Sequence, residues 1–255
     1  MRINHNITAL NNHRNMTLNN TALAKNMEKL SSGLRINRAA DDAAGLAVSE
    51  KMRGQIRGLE QAQRNVQDGI SFVQTAEGAM NEISAMLVRM KELNVQKANG
   101  TYSSADTYNI ELELDQLGQQ IDLILSNTKF NGINITSGAS IASDDSATII
   151  AISSISTGSF VSLGSGTSLT DIEAAIEAVA TERAKLGALQ NRLEYTSNNL
   201  GTTIENLSAS ESRIRDTDMA KEMVELAKNQ ILLQSSQAML AQANAAPQGV
   251  LSLLR

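Results

Sequence analysis

The chain holds two histidines, His5 and His13, eight residues apart near the N-terminus. On a helix that spacing is about two turns, so both rings could share a face. No carboxylate accompanies them in sequence to complete a metal site, and polar surface or a subunit contact suits them better. Cysteine is absent, which removes disulfides, thiolate metal sites and thiol nucleophiles together. Serine, threonine and aspartate are plentiful, yet no nucleophile elbow and no HExxH stretch occurs. Gly164-Ser165-Gly166 looks like part of a phosphate loop, but no lysine follows it and a linker is the better reading. The sequence therefore names no catalytic residue, metal ligand or cofactor site, and an enzyme is the least supported class.

The stretch Arg89-Met90-Lys91-Glu92-Leu93-Asn94-Val95-Gln96 is dense in groups that recognise other molecules. As a helix it presents a charged face to solvent with Leu87 and Met90 turned inward. Composition narrows the partners. The net charge is -5 with no block of like charge, and aromatics make up only 2% of the residues. Nothing resembles the basic, aromatic-studded surface that nucleic acid requires. No apolar run approaches the ~18 residues of a membrane span. Residues 1–10 are polar and Asn-rich, without the apolar stretch of a secretory signal peptide.

The elements that carry these groups are long helices. Stepping by seven from Ile172 reaches Val179, Leu186, Leu193, Leu200, Leu207 and Ile214, all aliphatic. The adjacent seam, Ile176, Arg183, Gln190, Ser197, Ile204 and Glu211, is only partly apolar. A sustained repeat of seven places the rungs along one face and favours a left-handed supercoil. Thr170 and Glu173 read as a capping box at its start. A helix of about 45 residues spans roughly 70 Å and needs a partner. Met52, Leu59, Val66, Val73, Met80 and Leu87 supply the matching ladder earlier in the chain, thickened by Ile56, Ile70 and Ile83. Antiparallel pairing within one chain buries both stripes.

Other segments fill in around this pair. Residues 3–32 read as a first helix with Ile7, Leu10, Leu18, Leu23, Met27 and Leu30 as apolar positions and Gly33 as its stop. The stripe is diluted by Asn and Thr, so the helix needs neighbours. Asp41 or Asp42 caps the second helix, which runs to about Asn99. Gly54, Gly58, Gly69 and Gly78 lie inside it and imply close approach of a neighbouring helix. A third helix from about Ala105 carries Ile110, Leu114, Leu117, Ile121 and Ile124. Lys129-Phe130-Asn131-Gly132 signals a tight hairpin. Residues 137–168 are rich in Ser and Gly, with short strand candidates at Thr148–Ile152 and Phe160–Leu163. A last helix runs from about Met219 to Ala245, capped by Asp216 or Asp218. It carries Met223, Leu226, Leu233 and Leu240 on one seam, with Val224, Ala227 and Ile231 on a second. Two seams imply more than one neighbour. The apolar Val250, Leu251, Leu253 and Leu254 near the end read as an interaction surface. The expected fold is mainly α: a long antiparallel coiled-coil rod of N- and C-terminal helices with a small β-hairpin and loop region in the middle.

Several stretches together resemble bacterial flagellin. Ile3-Asn4-His5-Asn6 opens the match. Leu30-Ser31-Ser32-Gly33-Leu34-Arg35-Ile36-Asn37 and Asp41-Asp42-Ala43-Ala44-Gly45-Leu46-Ala47 follow. Gly69-Ile70-Ser71, Glu92-Leu93, Phe130-Asn131-Gly132, Ser212-Arg213-Ile214-Arg215-Asp216 and Leu253-Leu254-Arg255 complete it, in order along the chain. The resemblance implies a structural subunit that polymerises into the extracellular helical flagellar filament used for bacterial swimming. It implies an inner domain, residues 1–43 and 217–255, lining the filament channel. Residues 44–136 and 169–216 would form an outer helical rod, and 137–168 a short variable segment with outer domains largely absent. Implied partners are the chain itself, the flagellar type III export apparatus, a flagellin-specific export chaperone, and the cap and hook-associated proteins. Export would proceed without a cleaved signal peptide. Ile7, Leu10, Met223, Leu226, Leu233 and Leu240 are the expected subunit or chaperone interface. Arg89, Leu93, Gln96 and Glu113 match the surface through which Toll-like receptor 5 of a host recognises the family. Val88 and Asn94 depart from the family pattern there. A hook-associated junction protein or a soluble coiled-coil adaptor are the alternatives, and Asp41–Arg53 favours flagellin itself.

Overall fold

The computed structural model describes residues 6–253, with side chains described as far as residue 245. His5 and the apolar side chains of Val250, Leu251, Leu253 and Leu254 therefore lie outside the described residues. The helices are α1 (Ile7–Ser32), α2 (Ala43–Lys97), α3 (Ser104–Asn127), α4 (Leu169–Arg215) and α5 (Met219–Leu253). Between α3 and α4 lie two antiparallel hairpins, β1 (Lys129–Phe130) with β2 (Ile133–Asn134) and β3 (Ala139–Ala142) with β4 (Ile149–Ile152). The chain divides into two compact units, residues 1–54 with 207–255, and residues 55–206.

Local chemistry sets the helix ends. The side chain of Asn6 accepts the Ala9 N–H at 3.1 Å to start α1, and Gly33, at φ 72°, closes it by donating to the Lys29 carbonyl. Asp42 rather than Asp41 caps α2, its Oδ1 accepting the Gly45 N–H at 2.8 Å. Ser103 and Asp106 form a capping box on α3. The expected box on α4 is displaced by two residues. Ser168 and Asp171 make the reciprocal bonds, with Asp171 N donating to Ser168 Oγ at 3.2 Å and Ser168 N to Asp171 Oδ2 at 3.3 Å. Thr170 is already inside the first turn, and Glu173 instead pairs with Lys91 at 2.9 Å. Asp218 starts α5 by accepting from the N–H groups of Ala220 and Lys221.

In the unit of residues 55–206, α2 and α4 run antiparallel. Each step forward on α2 matches a step back on α4: Glu77 faces Arg183 at 3.3 Å and Lys91 faces Glu173. Both ladders are buried. Leu59, Val66, Val73, Met80 and Leu87 are buried from one side, and Ile172, Val179, Leu186, Leu193 and Leu200 from the other. Each such side chain contributes about 1.5–3 kcal/mol when fully buried, so the pairing is the energetic backbone of this unit. The third helix buries Ile110, Leu114, Gly118, Ile121 and Leu125, a stripe turned slightly from the expected one. Leu117 and Ile124 are half-buried at its border.

The Asn131-Gly132 hairpin forms as the dipeptide demands, with φ 48° and 81° at its two central residues. Phe130 beside it meets Phe72 edge-on, ring centroids 6.0 Å apart. Of the two strand candidates in the Ser/Gly-rich segment, Thr148–Ile152 contains β4, paired with Ala139–Ala142. Phe160–Leu163 is not a strand. It is a turn that drops Phe160 into the core and places Ser162 at φ 59°.

The helix glycines correct another expectation. At Gly58 an added Cβ would lie 2.8 Å from Asp145, and at Gly69 it would meet Ile141. Both neighbours belong to the β3–β4 hairpin, not to a helix. Gly54 and Gly78 face open space. The close approach is real at two of the four positions, and a hairpin makes it.

Candidate functional site

In the unit of residues 1–54 and 207–255, α1 packs against α5. The pairing is antiparallel: Asn6 Nδ2 donates to the Ala243 carbonyl at 2.7 Å, Asn19 Nδ2 to Ser236 Oγ at 3.4 Å, and Lys29 sits 3.8 Å from Glu222. Among the covered positions of α1, Ala9, Asn12, Met16, Asn19, Leu23, Asn26 and Leu30 are spaced alternately three and four. On α5 they are Glu222, Leu226, Asn229, Leu233, Ser236, Leu240 and Ala243. This is a coiled-coil seam in which nearly every second rung is polar. Asn26 is its buried node. In the amide orientation that satisfies its neighbours it donates to Glu222 Oε1 at 3.1 Å and to the Ala22 carbonyl, and accepts from Asn229 Nδ2 at 3.1 Å. A polar rung of this kind fixes register at a cost in stability, because any slip leaves an amide unpaired.

The expected interface residues divide between two faces. Leu226, Leu233 and Leu240 lie half-buried in the seam with α1. Met223 does not join them; it is 54% exposed, on the opposite side with Val224, Ile231 and Met239. Ile7 and Leu10 are likewise uncovered, at 64% and 66%, and Leu18 with them. The apolar stripe expected on α1 thus misplaced most of the seam. Of its six positions Leu23 and Leu30 face α5, while Ile7, Leu10, Leu18 and Met27 face away. The reason is that three of these seven α1 positions are asparagine, and a search for apolar residues passes over Asn12, Asn19 and Asn26. Their spacing of seven was the available signal. Ile7, Leu10 and Leu18 instead line a shallow groove with His13, Arg14 and Thr17. His13 is exposed there, and no group of three His, Asp or Glu that could hold a metal occurs among the described residues.

The connector 33–42 is bound to the α4–α5 turn by backbone bonds. Arg35 N donates to the Arg215 carbonyl at 2.6 Å and Thr217 N to the Gly33 carbonyl at 3.0 Å. The Arg35 guanidinium forks onto the Ile214 carbonyl at 2.6 and 3.1 Å. Arg215 reaches Glu50 at 2.6 Å, and that bond, with help from Arg53, holds the Glu50 carboxyl below its ordinary range. Buried Ser49 donates to Glu211 at 2.9 Å. Asp41 accepts from the N–H groups of Arg38 and Asn37, and those bonds, with Lys25 nearby, depress its pKa. The paired Asp41-Asp42 thus has two separate tasks: one ties down the connector and the other caps α2.

In the unit of residues 55–206, Arg89 and Glu113 meet at 3.0 Å on exposed surface, with Glu92 3.3 Å from the same guanidinium. Glu113 and then Glu92 push the Arg89 pKa still higher. Gln96 is half-buried and donates to the Tyr102 hydroxyl at 3.0 Å. Leu93 is elsewhere: it is 2% exposed, in the core below this surface together with Met90. The structure brings Arg89 and Glu113 together and keeps Leu93 out of reach of solvent.

Known proteins match this chain throughout. The model of the bacterial flagellin N-terminal helical region covers residues 3–141, and that of the C-terminal helical region covers 169–254. Flagellin of Bacillus subtilis (strain 168) is 49% identical over 304 aligned residues, spanning 100% of both chains. Flagellin of Halalkalibacterium halodurans is 50% identical over 274, and the flagellar filament 33 kDa core protein of Treponema phagedenis 47% over 286, again spanning both chains in full. A crystal structure of Bacillus cereus flagellin, 32% identical, aligns over 58% of this chain and 94% of that one with a TM-score of 0.48. With helical regions matched at both ends and relatives near half identical along the whole length, this chain belongs to the bacterial flagellins.

Proposed function

We infer that the chain is the repeating structural subunit of an extracellular helical flagellar filament that serves swimming, and that the α1–α5 pair is its principal assembly element. One observation carries this. The pair spends much of its own seam on polar rungs, yet leaves Ile7, Leu10 and Leu18 on one helix and Met223, Val224, Ile231 and Met239 on the other uncovered. Apolar groups in such number on a slender helix pair want neighbours. A head-to-tail contact between unlike faces propagates as a helix when its rotation does not close into a ring.

On this reading residues 1–43 and 217–255 form the inner domain around the filament channel. Residues 44–136 and 169–216 form the outer part, and 137–168 a short variable segment. Before assembly the exposed face of α5 is held by a flagellin-specific export chaperone. The subunit leaves through the flagellar type III apparatus and is placed between the cap and hook-associated proteins. Arg89, Glu113 and Gln96 are the groups through which Toll-like receptor 5 would meet the subunit, with Leu93 supporting them from below.

Deleting residues 219–255 tests the assembly role. The truncated chain should neither extend filament seeds nor bind the chaperone, while the 55–206 unit keeps its helical circular dichroism. Seeded growth at the parental rate by the truncated chain would refute the assignment.

A further inference from the structure

The chain contains two Asn-Gly pairs, Asn99-Gly100 and Asn131-Gly132, both on exposed surface. Asn-Gly is the dipeptide most prone to spontaneous deamidation, because glycine has no side chain to shield its backbone nitrogen. That nitrogen attacks the asparagine Cγ, a C–N bond forms, and the side-chain amide leaves as ammonia. Water then opens the cyclic imide to aspartate or isoaspartate. The two pairs sit in different backbones, and the difference decides which one reacts.

Asn131 is locked. It is held at φ 48° and Gly132 at φ 81° in a tight turn, closed on both sides by the pairing of Phe130 with Ile133 and of Lys129 with Asn134. Phe130 is anchored further by its edge contact with Phe72. Ring closure needs a large rotation about the asparagine backbone, which would break this hairpin.

Asn99 is held by a helix-end turn and not by strand pairing. It lies just past the end of α2 at Lys97, and space around Gly100 is open. Its side-chain Oδ1 accepts the Thr101 N–H at 3.3 Å, which folds the amide back over the Gly100 nitrogen. That bond also polarises the carbonyl under attack and stabilises the oxyanion that forms on it. The hydrogen bonds closing this turn use the N–H groups of Asn99, Thr101 and Tyr102, and not that of Gly100. We propose that Asn99 is a site of spontaneous deamidation in the folded subunit and that Asn131 is protected by its hairpin. Each event adds one negative charge at the C-terminal end of α2, where the helix dipole opposes it. Repeated along a polymer outside the cell, the change records the age of the subunits.

The test is peptide mapping by mass spectrometry, with isoaspartate detection, on the full-length subunit held at mildly alkaline pH. The folded chain should convert at Asn99 and stay intact at Asn131. In concentrated urea, where neither turn persists, the two sites should convert at similar rates. Gly100→Ala, which fits the open space, should slow the Asn99 reaction about tenfold, or about 1.4 kcal/mol of barrier. Asn99→Gln should leave no conversion at that position. Asn131 converting as fast as Asn99 in the folded chain, or an Asn99 rate unchanged by Gly100→Ala, would overturn the proposal.

Discussion

Two neighbouring residues of α5 separate assembly from subunit folding. Ile231 is 65% exposed, and Leu233, two residues on, is half-buried against α1. In the free subunit Ile231→Asp removes only the covered third of a side chain whose full burial is worth about 1.5–3 kcal/mol, so the cost stays below about 1 kcal/mol. In the filament the same aspartate would enter an apolar contact, where Lys228, three residues back, already pairs with Glu225 at 3.5 Å. An unpaired buried carboxylate costs several kcal/mol; at about 3 kcal/mol the critical concentration rises by roughly two orders of magnitude. Leu233→Asp differs, because it strikes the α1–α5 seam and should loosen the pair before any assembly. Circular dichroism melting and seeded growth followed by light scattering read the two effects apart. The expected pattern is an Ile231→Asp subunit that melts like the parent and does not extend seeds. An Ile231→Asp subunit that polymerises at the parental critical concentration would show that the outer face of α5 is not an assembly contact.

Asn26→Ala should cost about 1–3 kcal/mol locally, because Glu222 and Asn229 lose their shared partner; hydrogen exchange should quicken in α1 and α5 and stay unchanged at the Leu186–Leu193 core. Among the glycines, Gly54→Ala should raise stability by up to about 1 kcal/mol, since the site is helical and open. Gly69→Ala should lower it by displacing Ile141 and with it the β3–β4 hairpin, and thermal melts of the two variants should move in opposite directions. The connector should also be acid-sensitive. Asp41 and Glu50 are held below their ordinary pKa values by their partners, so their contribution is present above the ordinary carboxylate range and lost as pH falls through the depressed values. Relative to the intrinsic exchange rate at each pH, protection of the Arg35 and Thr217 amides should fall over that acidic window, less steeply in Glu50→Gln, and added salt should weaken the effect.

The heptad ladders alone establish the long helices and imply their antiparallel pairing. A rung of seven from Ile172 to Leu200 against one from Leu59 to Leu87 leaves one economical way to bury both. The Asn131-Gly132 turn and the Gly33 stop were equally legible, because each depends on backbone preferences of one or two residues. Whatever depends on which groups meet across a distance is visible only in the folded chain. Leu93 reads as surface in a charged stretch and is core, because α2 is covered on more than one side. The α1 seam hid in its asparagines, since an amide counts as buried only once Glu222 and Asn229 arrive to satisfy it. Gly58 and Gly69 announced a close neighbour, but only the folded chain shows a hairpin there, brought in through a loop whose sequence carries little period of its own. Asp41 and Asp42 are chemically alike and adjacent; their division into connector tie and helix cap follows from where the backbone turns. Local pattern specifies elements because the forces involved act within a few residues. Partners, faces and the fate of polar groups follow from packing, which sums over residues far apart in the chain.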